Sequence, residues 1–466
     1  MRVLLLQPRP KGGLGFQSTI CVEPLGLEIV AGALTSAHHQ VKLLDLLEGE
    51  LPVNAVKEFN PQAIGISCSF AVDTYRVLNL AQALRQINPK FFIFVGGHHA
   101  SLTPEAFFHP AIDALVIGEG ETTTPELISA LEGGQDLSQV RGLVLNYPDG
   151  QVFTGIRPLL TNLDQVPFPR RDLTAPYRPH YFLGFRRPVI TVETSRGCPY
   201  RCNFCSVWRF NRGRFRTMSP ERVVEELAQL PPGDVLFTDD NFLADIPRVL
   251  RIIALIKQKR LPRRRFIIQA RSDTIVAHAD LIAKLKEVGL DQVFIGFEKT
   301  ENQDLENVGK RNTVENNERA LKVLQSLNIG VYASFIVDPQ FNETDFKKLA
   351  EYVKRLRISQ PYFSVLTPLP GTELFEKVKE HITTFNYELY DLLHAVLPTK
   401  LPLPRFYQEL VNLYRSAYLK PSNVLFTVWW ALKQLLLGKI SLSHWRRLWY
   451  GAKLTVNPEA YFKPLN

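Results

Sequence analysis

The chain is predicted to be an α/β protein with two successive βα series: an N-terminal doubly wound parallel sheet, then a partial barrel of about six βα units, then a helical C-terminal region. Three observations predict this. Short apolar runs alternate with stretches of helical spacing from the first residues onward. A proline-rich stretch with few periodic apolar residues interrupts that rhythm, which then resumes. At 466 residues the chain is also too long for one ordinary core.

In the first series Val3–Leu6, Val41–Leu44, Ala63–Ile66, Phe91–Val95 and Ala114–Ile117 are expected strands, and 26–37, 74–87 and 124–131 expected helices. Ligands of such sheets sit beyond the strand carboxyl ends. Those ends are polar or glycine-rich here: Gln7-Pro8-Arg9, Ser67-Cys68-Ser69, Gly96-Gly97-His98-His99 and Gly118-Glu119-Gly120-Glu121. Residues 146–185, with Pro148, Pro158, Pro167, Pro169, Pro176 and Pro179, read as a linker. The second series has expected strands at 189–193, 234–238, 266–270, 292–296, 331–336 and 362–366, with helices between them, as in a barrel open on one side. The expected domains are therefore 1–145, a linker 146–185, a barrel 186–383 and a helical domain 384–466.

With 45% hydrophobic and 22% charged residues the chain buries a large core, which excludes a disordered reading. Lys and Arg number 55 against 46 Asp and Glu, a net charge of +9, and cluster at Arg186–Arg187, 196–216 and 260–265. Such clusters fit phosphates, nucleic acid or anionic lipid, and equally a solvated basic face. Five cysteines do not make a disulfide framework. Cys21 and Cys68 read as buried thiols, and the absence of a secretory signal points to a reducing cytoplasm. No uninterrupted apolar run is long enough to span a membrane.

The remaining cysteines, Cys198, Cys202 and Cys205, lie in one loop directly after the first expected barrel strand. Three thiolates at this spacing suit an iron–sulfur cluster or zinc, each of which ordinarily takes four ligands. A structural zinc site needs a closing His or Cys, and none follows for about 70 residues. The missing fourth ligand points instead to an iron left open for a substrate or cofactor.

This CxxxCxxC loop after the first strand of a βα barrel resembles the radical S-adenosylmethionine (SAM) superfamily, over about residues 186–380. The resemblance implies a [4Fe–4S] cluster held by Cys198, Cys202 and Cys205, with SAM on the open iron. It further implies one-electron cleavage of SAM, from a donor such as flavodoxin or ferredoxin, to a 5′-deoxyadenosyl radical that abstracts hydrogen from an unactivated carbon. Phe204 matches the family's aromatic position beside adenine. Thr238, Asp239, Asp240 and Asn241 stand where the SAM amino group is usually held, with a helix N-cap as the alternative. Arg271 and Glu298 resemble the positions for the SAM carboxylate and ribose. Val337–Thr344 departs from the usual glycine-proline-glycine wording.

A Rossmann-like doubly wound domain ahead of such a barrel is similar to the cobalamin-binding radical SAM enzymes. The resemblance rests on Glu23-Pro24-Leu25-Gly26-Leu27, Val95–Ala100 and Val116–Glu121. It implies cobalamin contacts from Gly96, Gly97, His98, Gly118 and Glu119, where glycines allow close approach of a planar ring, and from Ser67 and Ser69 to the nucleotide tail. The first loop carries Arg9 where related cobalamin proteins place a cobalt-ligating histidine, and arginine is a poor ligand.

Two such cofactors together imply methyl transfer to carbon. The wording around the Glu-Pro-Leu-Gly-Leu segment, the cysteine loop and Leu397–Pro402 looks like the hopanoid C-3 methylases, which implies a pentacyclic lipid substrate. Trp429-Trp430 and Trp445–Tyr450 beside basic residues suit peripheral contact with the inner face of a membrane, a buried helix being the alternative. The competing enzyme reading is a cobalamin-associated oxidoreductase or cyclase without methyl transfer, such as the anaerobic tetrapyrrole cyclases. An RNA-modifying enzyme and an iron–sulfur regulator rank below it, and no nucleic acid partner is expected.

Overall fold

In the computed structural model, which describes residues 1–10, 14, 16–47, 51–419, 429, 433 and 441–462, the first sheet grows around β1 (Arg2–Pro8). Val3, Leu4, Leu5 and Leu6 are all fully buried, as expected of a central parallel strand covered on both faces. Its neighbours are β2 (Gln40–Leu46) and β3 (Ala63–Ser67). β4 (Phe92–Gly96) and β5 (Ala114–Val116) follow, all parallel. The order β2–β1–β3–β4–β5 reverses direction at β1, which opens a crevice beyond the carboxyl ends of β1 and β3.

The sheet runs further than the sequence reading allowed. β6 (Leu143–Tyr147) and β7 (Gly150–Phe153) form an antiparallel hairpin on β5, so residues 146–153, assigned above to a linker, complete this sheet. Pro148 falls in the hairpin turn, where it blocks no ladder bond. The Asp149-Gly150 pair that closes the turn is an ordinary hairpin signal masked by the local proline content.

The second sheet consists of β8 (Val189–Val192), β9 (Asp234–Phe237), β10 (Phe266–Gln269), β11 (Leu290–Glu298), β12 (Gly330–Val337) and β13 (Gln360–Val365). They are parallel and hydrogen-bonded in chain order, with no β8–β13 pairing, so the barrel is open. Open edges need partners, and each edge has one. At β8, Glu23 Oε2 accepts from Thr191 N–H (3.1 Å) and Arg171 Nη2 donates to Thr191 O (2.6 Å). At β13, the Tyr414 hydroxyl accepts from Phe363 N–H (3.3 Å) and donates to Phe363 O (2.7 Å), while Tyr418 donates to Pro361 O (2.6 Å).

Tyr414 belongs to the helix Leu403–Tyr418, whose Phe406, Leu410 and Val411 join the barrel core. This part of the expected C-terminal domain is therefore a cover for the barrel edge. Most of the tryptophan-rich stretch 423–437 lies outside the described residues, Trp429 and Lys433 excepted. Among the described residues no helix is long and apolar enough to cross a membrane.

Each of the three basic clusters has arginines that are paired within the fold. Arg186 pairs with Asp234 and Asp291, Arg264 donates to the Leu230 and Pro231 carbonyls, and Arg265 pairs with Asp234. Arg196 and Arg216 both pair with Glu119. These arginines hold elements together, while Arg201, Arg209, Arg212, Arg214, Arg260 and Arg263 stay exposed.

Candidate functional site

The cysteine loop leaves β8 through a two-residue antiparallel ladder, Ser195–Arg196 against Arg216–Thr217, which ties its two ends together. Gly197 then turns at φ +88°, and a Cβ there would collide with the Arg214 carbonyl, so only glycine fits. Three contacts shape the interior of the loop. Cys205 N–H donates to Cys202 O (3.1 Å), Trp208 Nε1 donates to the same oxygen (3.1 Å), and Asn203 N–H donates to Val308 O (3.2 Å). The helix Glu373–Val378, next to the Pro370-Gly371-Thr372 turn, donates from Leu374 N–H to Asn203 O (2.9 Å). The loop is thus clamped by the segments after β11 and β13.

Burial pushes all three thiols above their ordinary pKa, Cys205 to about 12, while the backbone N–H groups of Tyr200 and Val207 favour thiolate at Cys198 and Cys205. Bound iron is what offsets such burial, since metal ligation holds cysteine as thiolate. Among the described residues no three His, Cys, Asp or Glu side chains converge on the position of a single ion.

Next to this loop the predicted SAM-side residues divide by how they are engaged. Phe204 is half-buried. Thr238 Oγ1 donates to Val192 O (3.3 Å). Asp239 is filled internally: it accepts from Thr194 N–H (2.6 Å), Thr194 Oγ1 (2.5 Å) and Ser195 Oγ (2.7 Å), with Arg248 at 3.6 Å. Asp240 accepts only a long bond from Gly197 N–H (3.3 Å), and burial, then the charge of Asp239, pushes its carboxyl up to about 7. Asn241 is 1% exposed, and neither side-chain polar atom has a partner. A buried, unpartnered amide is uncommon in a native protein. Beside an uncompensated carboxylate, it fits a polar ligand group such as an ammonium.

Arg271 is more heavily engaged than the sequence implied. Its guanidinium pairs with Asp273 (2.7 Å), donates to the Lys310 and Arg311 carbonyls (3.0 and 2.9 Å) and stacks 3.6 Å from the Tyr200 ring. It thereby braces the cysteine loop. Glu298 sits at φ +61° after a register shift in β11 and pairs with Lys310 at 2.7 Å. Gly296 makes room for this pair, since a Cβ there would press on the Glu298 carboxylate and on Lys310 Nζ 2.7 Å away. Lys310 was missed, having no motif to mark it, and Tyr200, inside the cysteine motif, was given no role. Trp208, three residues past the last cysteine, was a legible aromatic signal.

In the first domain Ser67 is half-buried, Ser69 is exposed and the neighbouring Phe70 is 68% exposed. Gly97, at φ +121°, packs so closely that a Cβ would lie 2.5 Å from Cys68 O; its glycine serves the contact between the turns after β3 and β4. Gly96 is ordinarily packed, whereas Gly118, at φ +82°, has only an Arg212 nitrogen, 4.0 Å from a would-be Cβ. Gly26 faces open space. An open glycine, Gly118, and an exposed aromatic, Phe70, both following strand carboxyl ends, fit a large planar ligand. Arg9 donates to both Asp45 oxygens (2.7 Å each) and to Val22 O (2.6 Å), so the first loop offers no metal ligand at that position. His98 and Glu119 do not stand free: His98 Nε2 lies 2.8 Å from Ser206 Oγ, and Glu119 Oε1 lies 2.7 Å from both Arg196 and Arg216.

A doubly wound ligand-binding sheet set against a thiol-bearing partial barrel defines a cobalamin-binding radical SAM enzyme. Residues 14–128 match the B12 binding domain and residues 192–353 match the Radical SAM superfamily. Over 428 residues the chain is 32% identical to the hopanoid C-3 methylase of Methylococcus capsulatus, covering 90% of this chain and 81% of that one. A methyltransferase of Pyrococcus horikoshii is 31% identical, covering 90% and 93%. The anaerobic magnesium-protoporphyrin IX monomethyl ester cyclase of Rubrivivax gelatinosus is 26% identical, covering 90% and 78%. Among solved structures, the cobalamin-dependent radical SAM enzyme OxsB with aqua-cobalamin and SAM bound superposes with a TM-score of 0.71 at 19% identity, covering 98% of this chain and 71% of that one. TsrM from Kitasatospora setae, with cobalamin and a [4Fe–4S] cluster, gives 0.63 at 18%, covering 82% and 78%. The chain belongs to the cobalamin-dependent radical SAM methyltransferases, and its cofactors are a [4Fe–4S] cluster, SAM and cobalamin.

Proposed function

We propose that this enzyme methylates an unactivated carbon of a polycyclic lipid, with C-3 of a hopanoid as the specific substrate position. The observation that carries the proposal is the 32% identity, over nine-tenths of the chain, to a hopanoid C-3 methylase. When bound, the cluster with SAM supplies a carbon-centred radical and cobalamin carries the methyl group.

The chain's own residues hold and orient these groups. Cys198, Cys202 and Cys205 would ligate three irons of the cluster, and Phe204 would stand beside the adenine. Asp240 and Asn241 would receive the SAM ammonium, for which the nearly unpartnered carboxylate and the orphaned amide are the supporting observations. Glu298, held in place by Lys310, would meet the ribose hydroxyls. Arg271 acts on the site by bracing Tyr200 in the cysteine loop, its guanidinium being filled. Gly118 would allow the corrin to approach, and Ser67 and Ser69 would stand beside the nucleotide tail.

A lipid substrate also calls for access to a membrane surface. The helix Leu442–Thr455 supports this, because Leu442, Trp449 and Tyr450 are 53, 56 and 56% exposed and share a face with exposed Arg446 and Lys453. Aromatic and basic residues on one face suit an anionic interface. Co-sedimentation with vesicles containing anionic lipid, lost in a Trp449→Ser/Tyr450→Ser variant, tests the contact.

The deciding experiment for the reaction is anaerobic reconstitution with SAM, cobalamin and a one-electron donor, followed by mass spectrometry of candidate hopanoids. A gain of one CH2 unit supports the proposal. Turnover without that gain favours the second reading, an oxidative cyclase, which the cyclase relative supports.

A further inference from the structure

We infer that the first domain holds the cysteine loop at both of its ends, with Glu119 and His98 as positioning residues of that loop. The inference rests on the functional reading above and changes the part these two residues play in it, from corrin contacts to supports of the cluster.

The two grips fall on either side of the cysteines. Arg196 precedes Cys198 by two residues, and Ser206 follows Cys205 directly. On the entry side, Arg196 Nη1 meets Glu119 Oε1 at 2.7 Å and Glu121 Oε1 at 2.5 Å, while its Nε meets Glu193 at 2.8 Å. The same Glu119 oxygen accepts from Arg216, the ladder partner of Arg196, at 2.7 Å. One carboxylate from the first domain thus ties both strands from which the loop springs. Its second oxygen accepts from Leu160 N–H (2.8 Å), which leaves Glu119 filled.

On the exit side, His98 Nε2 lies 2.8 Å from Ser206 Oγ, and its ring stacks on Phe210 at 4.5 Å. Burial lowers the His98 pKa to about 4, so the ring is neutral at working pH and meets the hydroxyl as an uncharged partner. The backbone that presents it is rigid: Ala100 N–H donates to Cys68 O (3.3 Å), and Gly97 is packed against that same carbonyl.

These anchors come from the turns after β4 and β5, the turns that also carry Gly96 and Gly118. A group bound on those turns and a cluster held in the loop therefore share one rigid body. Each biases the other, and the coupling is reciprocal. Hydrogen-bonded contacts that are buried or partly buried have the rigidity needed to transmit a displacement, which exposed ion pairs lack.

The test uses the full chain, reconstituted anaerobically, with four variants: Glu119→Gln, His98→Phe, Ser206→Ala and the double variant His98→Phe/Ser206→Ala. Three readouts are taken: the electron paramagnetic resonance signal and midpoint potential of the reduced cluster, the SAM dissociation constant, and hydroxocobalamin binding by absorbance. Circular dichroism checks that each variant is folded. Glu119→Gln and His98→Phe are expected to shift the cluster signal and potential. They are also expected to weaken SAM binding by about tenfold, the factor that loss of one buried hydrogen bond to a charged or closely held group carries. Hydroxocobalamin affinity stays within about threefold.

Ser206→Ala, which alters only the cluster side, reproduces the His98→Phe result, and the double variant adds nothing further. Loss of hydroxocobalamin binding with an unchanged cluster signal overturns the inference and restores both residues as corrin contacts. Additive effects of His98→Phe and Ser206→Ala overturn the exit-side grip. Failure of the functional reading shows instead in the wild-type chain, which then takes up both cofactors without methylating a hopanoid and leaves the inference standing.

Discussion

Replacing Asp240 with Asn separates what this carboxylate costs the fold from what it does for a ligand. Burial first, then the charge of Asp239, raises its pKa from the ordinary 3.8 to about 7. A raised acid pKa means that the folded chain keeps a proton the unfolded chain has lost. Its contribution is therefore neutral below the unfolded value and turns against the fold as the pH climbs toward the folded one. At 1.36 kcal/mol per pH unit, the gap between 3.8 and about 7 sets an upper limit of about 4 kcal/mol above neutral pH and about half of that near pH 5.5. The Asp240 side chain is itself exposed, so solvent screens much of this and leaves a net cost of about 1–2 kcal/mol.

Asn stands in for the protonated acid at every pH. Urea denaturation of the cofactor-free chain is expected to show Asp240→Asn more stable than wild type by about 1–2 kcal/mol near pH 8.5 and by about half of that near pH 5.5. In the reconstituted enzyme the same change is expected to weaken SAM binding by at least about tenfold, since a buried ammonium loses its counter-charge. A stability gain that does not change with pH refutes the electrostatic account. An unchanged SAM affinity refutes the assignment of Asp240 to the ammonium.

Other expectations follow from single contacts. Cys202→Ala abolishes both the iron–sulfur absorbance and 5′-deoxyadenosine formation; SAM cleavage that persists without a cluster refutes the ligand assignment. Gly197→Ala forces a side chain into left-handed backbone against Arg214 O, which costs about 1–2 kcal/mol before any steric overlap. Iron content per chain after reconstitution is expected to fall, and full loading refutes the argument. Tyr414→Phe strands the Phe363 N–H and C=O at the barrel edge and is expected to lower stability by about 1–3 kcal/mol in urea, with the cluster spectrum unchanged.

Much of the architecture was legible because it is written in local periodicity. The five parallel strands of the first sheet and the six of the barrel fall within a few residues of where apolar runs and strand-end glycines place them. The β6–β7 hairpin was missed because Pro148 in its turn looked like linker composition. The role of the helix Leu403–Tyr418 was missed for a different reason: amphipathic spacing says that a helix has a buried face, but not which edge that face covers.

The cysteine loop was legible for the same local reason, with all three thiols inside eight residues. What surrounds it was not. Asp239 and Asp240 are adjacent in the chain, yet Thr194 and Ser195 fill the first and leave the second almost bare. Arg271 looked like an open cation and is occupied by Asp273, two carbonyls and Tyr200. Glu119 and His98 looked like parts of a corrin site, and in space they hold Arg196 and Ser206 across 77 and 108 residues of chain.

Sequence by itself determined the class of chemistry and the order of the folding units, because ligand spacing and apolar period are properties of neighbouring residues. Only the tertiary structure decided which charged groups remain available to a ligand. A side chain's capacity is set by the donors and acceptors already against it, and in a two-domain site those arrive from far along the chain.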